Sequence, residues 1–301
     1  MGVSADQVFD GLLLSFELSC RSRNLSPKTI KAYVESTLLF ADFVEREGFG
    51  TDLASIRRQH VEAFIADQLD RWTPSTAATR FRCLQQFFRF ATDEGEIPTN
   101  PMASMRPPKV VDEPVDVISD ADVRALLATC ASNDFLDRRD EAVMRVFLDT
   151  GVRLNELVGM TIEALDLRVR ATIVTGKGGY MRTVSFGDKT TRALDRYLRA
   201  RRKHRLAELD ALWIAPKGPL GDSGVTQLLR RRCREAGIGA VHPHQWRHTF
   251  AHKWLASGGN EGDLQTLAGW RSQQMLARYG ASAKAERAAA AHTRYSPGDQ
   301  F

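Results

Sequence analysis

The chain has 301 residues, 43% of them hydrophobic and 26% charged, with a mean hydropathy of −0.31, which suits an ordinary globular protein of about two domains. No run approaches the ~18 apolar residues of a membrane span, and the acid-bearing start without a basic opening excludes a signal peptide, while Asp6 stands where a myristoylation signal wants Ser or Thr. The net charge of +5 is uneven: residues 1–111 hold 13 basic and 14 acidic residues, and residues 187–247 hold 14 and 6, a local +8 that suggests either a polyanion partner or a solvated helix face.

In chain order, residues 5–95 read as four helices. The first covers 8–19 and is rich in Leu and Phe. The second opens with Ser26 as N-cap and Pro27 at the first helical position. Its apolar residues (Ile30, Tyr33, Val34, Leu38, Phe40, Ala41, Val44) keep close to a 3.6 period, and Gly48 ends it. The third runs over 57–71 with Val61, Phe64, Ile65 and Leu69 on one face. The fourth follows Thr73-Pro74 and carries Leu84, Phe87, Phe88 and Ala91 as its stripe. Residues 96–118 hold five prolines, which break helices, and read as an interdomain linker.

Residues 119–301 read as a second domain. A helix capped by Ser119 is followed by one around 140–150. The sequence ATIV-TGKGGY-MRTVSF predicts a β-hairpin. Helices are expected over 189–206, 223–236, 244–257 and 263–267, and an Ala-rich helix over 281–292. The predicted fold class is mainly α with a small β-sheet or hairpin. The four cysteines, Cys20, Cys83, Cys130 and Cys233, form no CxxC pair and read as buried thiols of a reduced, cytoplasmic protein.

Four separated segments carry side chains suited to chemistry. In Thr150-Gly-Val-Arg153-Leu-Asn-Glu156 an arginine follows a glycine at a helix boundary, where its planar fork can take a phosphate or simply meet the glutamate. In Thr175-Gly-Lys177-Gly-Gly-Tyr-Met-Arg182 a lysine stands at a hairpin tip. The spacing is not that of a P-loop, and a plain turn lysine is the alternative. In His242-Pro-His244-Gln-Trp-Arg247-His248 a histidine and an arginine share one helical face at i, i+3. His244, His248 and His252 also fall at i, i+4, i+8, a spacing open to a metal, although no HExxH arrangement is present. In Leu267-Ala-Gly-Trp270-Arg-Ser-Gln-Gln-Met-Leu-Ala-Arg278-Tyr279-Gly a tyrosine lies beside a glycine, where it would ordinarily be a packed aromatic.

Taken in order, TGVRLNEL, TGKGGYMRTV, HPHQWRHTFA and LAGWRSQQMLARYG resemble the four signature blocks of the tyrosine recombinase, or phage integrase, family. The helical unit resembles that family's SAM-like core-binding domain (5–95), with 96–118 as linker and 119–301 as the catalytic domain. One departure is Trp270, which stands where most members have a histidine; a subset of the family also has Trp there. The resemblance implies that Tyr279 is the nucleophile, forming a 3′-phosphotyrosine and a free 5′-hydroxyl. It implies that Arg153 and Arg247 clamp the scissile phosphate, Lys177 protonates the leaving oxygen, His244 takes the tyrosine proton or bonds the phosphate, and Trp270 completes the pocket. Glu156 would orient Arg153 or a neighbour, with a plain helix contact as the alternative. Tyr295 is a decoy, too far beyond Trp270. Neither metal nor cofactor is implied.

The resemblance further implies double-stranded DNA as partner, contacted through Arg80, Arg82 and Arg89 in the first domain and Arg182, Arg230 and Arg231 in the second. It implies a homotetramer assembled on two duplexes, with helix 281–292 docking on a neighbouring protomer or packing in cis. An accessory directionality factor is compatible with it, and a membrane role is not. The absence of an arm-binding domain before residue 5 suits a minimal integrase of a phage or other mobile element. A Xer-type dimer resolvase is the near alternative. A non-catalytic DNA-binding protein and a metal-dependent nuclease using the histidine row are the readings from other classes.

Overall fold

The computed structural model describes residues 5–50, 52–111, 116–176, 178–270, 276, 288–289, 291–293 and 296–300. The chain divides into two units, Met1–Asp112 and Glu113–Phe301.

The first unit holds α1 (Ala5–Ser22), α2 (Pro27–Arg46), α3 (Arg58–Arg71) and α4 (Pro74–Asp93). The Ser26 hydroxyl accepts from the Thr29 N–H at 3.2 Å, and the Thr73 hydroxyl accepts from the Thr76 N–H at 3.3 Å. Each cap precedes a proline whose missing N–H costs nothing in a first turn. The apolar stripes meet in an aromatic core. Phe40 packs edge-on against Phe64 at 5.3 Å and Phe88 at 5.6 Å between centroids, the geometry aromatic quadrupoles favour. After α4 the proline-bearing stretch turns back, and Ile97 and Met102 join this core.

The second unit begins with α5 (Asp120–Ala128), α6 (Phe135–Thr150) and the short α7 (Leu154–Val158). An antiparallel sheet follows in the order β1 (Leu165–Asp166), β2 (Ala171–Thr175), β3 (Met181–Ser185). Then come α8 (Asp188–Arg201), the two-stranded β4 (Ile214–Ala215) and β5 (Gly218–Pro219), α9 (Asp222–Glu235), α10 (Pro243–Ala256) and α11 (Glu261–Ala268). The fold is therefore mainly α with small antiparallel sheets. The β2–β3 pairing sets Val174 opposite Arg182 and Ile173 opposite Thr183. Strand alternation then buries Val174 and Val184 and exposes Ile173. The core centres on α6, through Val143, Val146 and Phe147, with α8, α9 and Trp246 of α10 around it. A smaller cluster of Phe250, Leu255, Leu264 and Trp270 lies under α10 and α11.

Some boundaries differ from the sequence expectation. The helix expected over 189–206 ends at Arg201, because that buried guanidinium donates to the carbonyls of Ala207, Leu209, Ala211 and Leu212 and so folds the following loop around itself. Strands β1, β4 and β5 are too short to leave a period in the sequence. Among the described residues no helix is long and apolar enough to cross a membrane.

Candidate active site

The site begins where α6 stops. Gly151 ends the helix with φ +58°, its N–H donating to the Phe147 carbonyl at 2.9 Å. A Cβ here would come within 2.3 Å of the Phe250 ring, so both the left-handed backbone and the close pass under α10 require glycine. The turn continues through buried Val152 to Arg153, the extended N-cap of α7. The Arg153 backbone N–H donates to Glu156 Oε2 at 2.8 Å, and its Nη1 donates to Oε1 at 2.7 Å. The Glu156 side chain is 2% exposed, whereas that of Arg153 is 39% exposed. Among the described residues, Arg153 Nε and Nη2 make no hydrogen bond, leaving two donors and a positive charge at the surface.

Glu156 is also held from the sheet. Arg182 of β3 donates through Nη1 to Oε1 at 2.9 Å and through Nη2 to Oε2 at 2.8 Å, while its Nε donates to the Leu267 carbonyl at 2.9 Å. Burial pushes the Glu156 carboxyl up, but the Arg182 pair, the Arg153 N–H and the Arg153 guanidinium outweigh it and bring the pKa down to about 2. Two glycines close over this pair. A Cβ at Gly176 would lie 3.1 Å from Glu156 Oε1, and one at Gly269 (φ +65°) would lie 3.2 Å from Arg182 Cδ.

The second cation comes from α10. His242 caps this helix, its backbone N–H donating to the Gln245 side chain at 2.8 Å, and Pro243 follows as the first helical residue. Arg247 is 1% exposed. Its Nη1 donates to the Gly151 carbonyl and its Nη2 to the Ala268 carbonyl, both at 2.6 Å. Those carbonyls end α6 and α11, where the helix dipoles favour a cation. The guanidinium also lies over the Trp270 ring at 5.3 Å. Arg247 therefore holds the turn that carries Arg153 and, on its other side, the segment that carries Trp270. Trp270 is 5% exposed and packs in the smaller core.

His244 lies three residues before Arg247, one helical turn away, with its ring edge-on to His248 at 5.3 Å. His248 is buried. Among the described residues no three metal-ligating side chains converge, so the His244, His248, His252 row does not form a ligand cluster.

Lys177, Tyr279 and Tyr295 lie outside the described residues, as do 281–287 and 290 of the expected terminal helix; 288–289 and 291–293 are helical. The hairpin on either side of Lys177 is closed by the Gly176 N–H donating to the Tyr180 carbonyl at 2.7 Å, with Gly178 and Gly179 at positive φ.

The arginines expected along DNA fall into two groups. Arg82 and Arg89 of α4 and Arg230 of α9 are exposed. Arg80 instead donates to the Gln68 side chain and lies over Trp72 at 4.9 Å. Arg231 reaches buried Asp140, and Arg182 is spent on Glu156 and Leu267. What sequence reading missed is this internal use of arginine. Asp140, fully buried on α6, accepts from Arg139, Arg231 and Arg232 and ties α9 to α6. A signal for Arg182 was present, since it shares the inward face of β3 with Val184 two residues on.

Known protein families match both parts of the chain. The pattern of the phage integrase family matches residues 116–286, and that of the phage integrase N-terminal SAM-like domain matches residues 12–94. The tyrosine recombinase XerC of Staphylococcus epidermidis is 28% identical over 261 residues, covering 85% of this chain and 87% of the relative. XerC of Oceanobacillus iheyensis is 27% identical over 257 residues, covering 83% and 84%. The fold is similar to that of the Tn1549 transposon integrase in complex with transposon right end DNA, at a TM-score of 0.74 and 19% identity over 95% of this chain and 99% of that one. With Arg247 holding the turn that leads to Arg153 and both of its sequence units matched, the chain belongs to the phage integrase family of tyrosine recombinases.

Proposed function

We propose that the chain is a site-specific DNA recombinase that cuts and rejoins duplex DNA through a 3′-phosphotyrosine at Tyr279, serving a phage or other mobile element. The observation that carries this reading is that Arg247 holds the Gly151 turn leading to Arg153 and lies over the Trp270 ring. Two guanidiniums on one scissile phosphate stabilise the charge that builds on a pentacoordinate phosphorus. They do so without a metal ion or cofactor. The Tyr279 hydroxyl attacks the phosphorus, the bond to the 5′-oxygen breaks, His244 receives the tyrosine proton, and Lys177 supplies the proton that the 5′-oxygen takes up. A 5′-hydroxyl from a second duplex then attacks the phosphotyrosine and completes the exchange with no net loss of phosphodiester energy.

Exchange needs two duplexes, hence four protomers. A lambda integrase tetramer bound to a Holliday junction has a similar fold, at a TM-score of 0.71 and 19% identity over 90% of this chain. Exposed Arg82, Arg89 and Arg230 supply phosphate contacts, and an accessory factor sets the direction of the reaction. A Xer-type dimer resolvase is the second reading, favoured by the similarity to XerC along most of the chain.

A pool of nicked duplexes with randomised arms, incubated with protein and EDTA and run on a denaturing gel, tests the reading. Wild type leaves a covalent protein–DNA adduct and Tyr279→Phe leaves none. Cleavage without an adduct, or cleavage abolished by EDTA, contradicts it. The captured arms separate the two biological roles, since they match either mobile-element ends or a chromosomal resolution site.

A further inference from the structure

Arg182 carries a charge that neither proposed phosphate clamp accounts for. All three of its nitrogens donate inside the fold: two to the two oxygens of Glu156, one to the Leu267 carbonyl. Its side chain is 15% exposed against 39% for Arg153. Its charge is answered inside the fold by both oxygens of the Glu156 carboxylate. Arg182 is well placed to join three segments distant in sequence: the hairpin on either side of Lys177, the α7 start with Arg153, and the end of α11 leading to Trp270.

The charge balance gives the pair a second consequence. One carboxylate faces two guanidiniums. Arg182 takes it with the bidentate fork geometry, which is the stronger arrangement. Arg153 meets only Oε1 and keeps Nε and Nη2 unengaged among the described residues. Without Arg182 the buried Glu156 would have Arg153 as its sole cationic partner among the described residues and would draw both ends of that guanidinium toward itself. Gly176 and Gly269 pass close to the pair, where a Cβ would come to 3.1 and 3.2 Å and push it aside, so both motif segments pack against it.

We propose that Arg182 is a positioning residue for strand cleavage: it occupies Glu156 so that Arg153 stays open to the phosphate, and it ties the Lys177 hairpin to the segment that leads to Trp270. This rests on the proposed recombinase function. It assigns Arg182 to the reaction's geometry and not to the DNA surface.

The test uses the full-length protein and a nicked duplex that wild type has captured covalently from a randomised pool. Arg182→Gln and Arg182→Lys are each measured for DNA affinity, the salt dependence of binding, and the single-turnover rate of adduct formation. Both variants are expected to bind DNA as wild type does and to form the adduct about 100-fold more slowly, the usual cost of a small misplacement of catalytic groups. Lysine does not rescue, because a compact ammonium on a flexible stem lacks the planar fork that meets both carboxylate oxygens while its Nε reaches the Leu267 carbonyl. Glu156→Gln combined with Arg182→Gln is expected to lose no more than the worse single variant, since the two act as one unit; additive losses overturn the coupling. Wild-type rates in the two Arg182 variants overturn the proposal. So does weakened binding with a salt slope reduced by about one at an unchanged cleavage rate, which would make Arg182 a phosphate contact. If Arg182→Gln does not fold, Arg182→Lys decides by the same criteria. A wild type that captures no duplex overturns the proposed function itself, and this inference with it.

Discussion

Arg153 and Arg247 carry the same charge and sit at the same turn, yet their surroundings assign them different burdens. Arg153 is half exposed and its own bonds are local, so Arg153→Ala should leave the melting temperature nearly unchanged while abolishing adduct formation. Arg247 is buried and satisfies the last carbonyls of two helices. Arg247→Ala should abolish adduct formation and also cost on the order of 3 kcal/mol of stability, measured by urea unfolding. Glu156 gives a pH prediction. Its carboxyl falls from an ordinary 4.5 to about 2 in the fold, so it binds fewer protons folded than unfolded. Its stabilisation, on the order of 3 kcal/mol, is present above 4.5 and lost as the pH falls toward 2. Between those values Glu156→Gln should lose stability less steeply than wild type in a pH series of urea melts; parallel curves would contradict this. The resemblance singled out Arg153, His244, Arg247 and Trp270 as candidates in the sequence. It did not separate Arg182 from the surface arginines, because its partner Glu156 is 26 residues away and only folding makes them neighbours.

Among the elements, α6 carries the greatest load. Its face buries Val143 and Phe147, its middle holds Asp140, and its end presents the Gly151 carbonyl to Arg247. Asp140 is fully buried and accepts from Arg139, Arg231 and Arg232, so α9 is fastened to α6 by charge as well as by packing. Asp140→Asn should cost about 3 kcal/mol, because among the described residues buried Arg139 then has no carboxylate and Arg232 keeps only Asp137 and Glu235, and folded protein should keep its rate of adduct formation. Gly151→Ala should destabilise more than a surface Gly→Ala change, through both positive φ and the Phe250 ring. Helices with a cap and a clear period, such as α2 and α4, were legible in advance. The end of α8 was not, because it depends on four carbonyls that gather around Arg201 only once the following loop has folded.

Across the whole molecule each unit has a core of its own: an aromatic one in Met1–Asp112 and one centred on α6 in Glu113–Phe301. Separate cores predict that fragments 1–112 and 113–301 each unfold cooperatively when expressed alone, as circular dichroism melts would show. The five prolines of 96–118 were read as a linker, and the return of Ile97 and Met102 of that stretch into the first core left no signal in the sequence. The recombinase reading comes down to one covalent bond at one residue. The covalent adduct, digested with nuclease and trypsin, can be mapped by mass spectrometry. A nucleotide remnant on the peptide spanning 279–284 is the predicted result. A remnant on the peptide spanning 295–301, or on none, would contradict it.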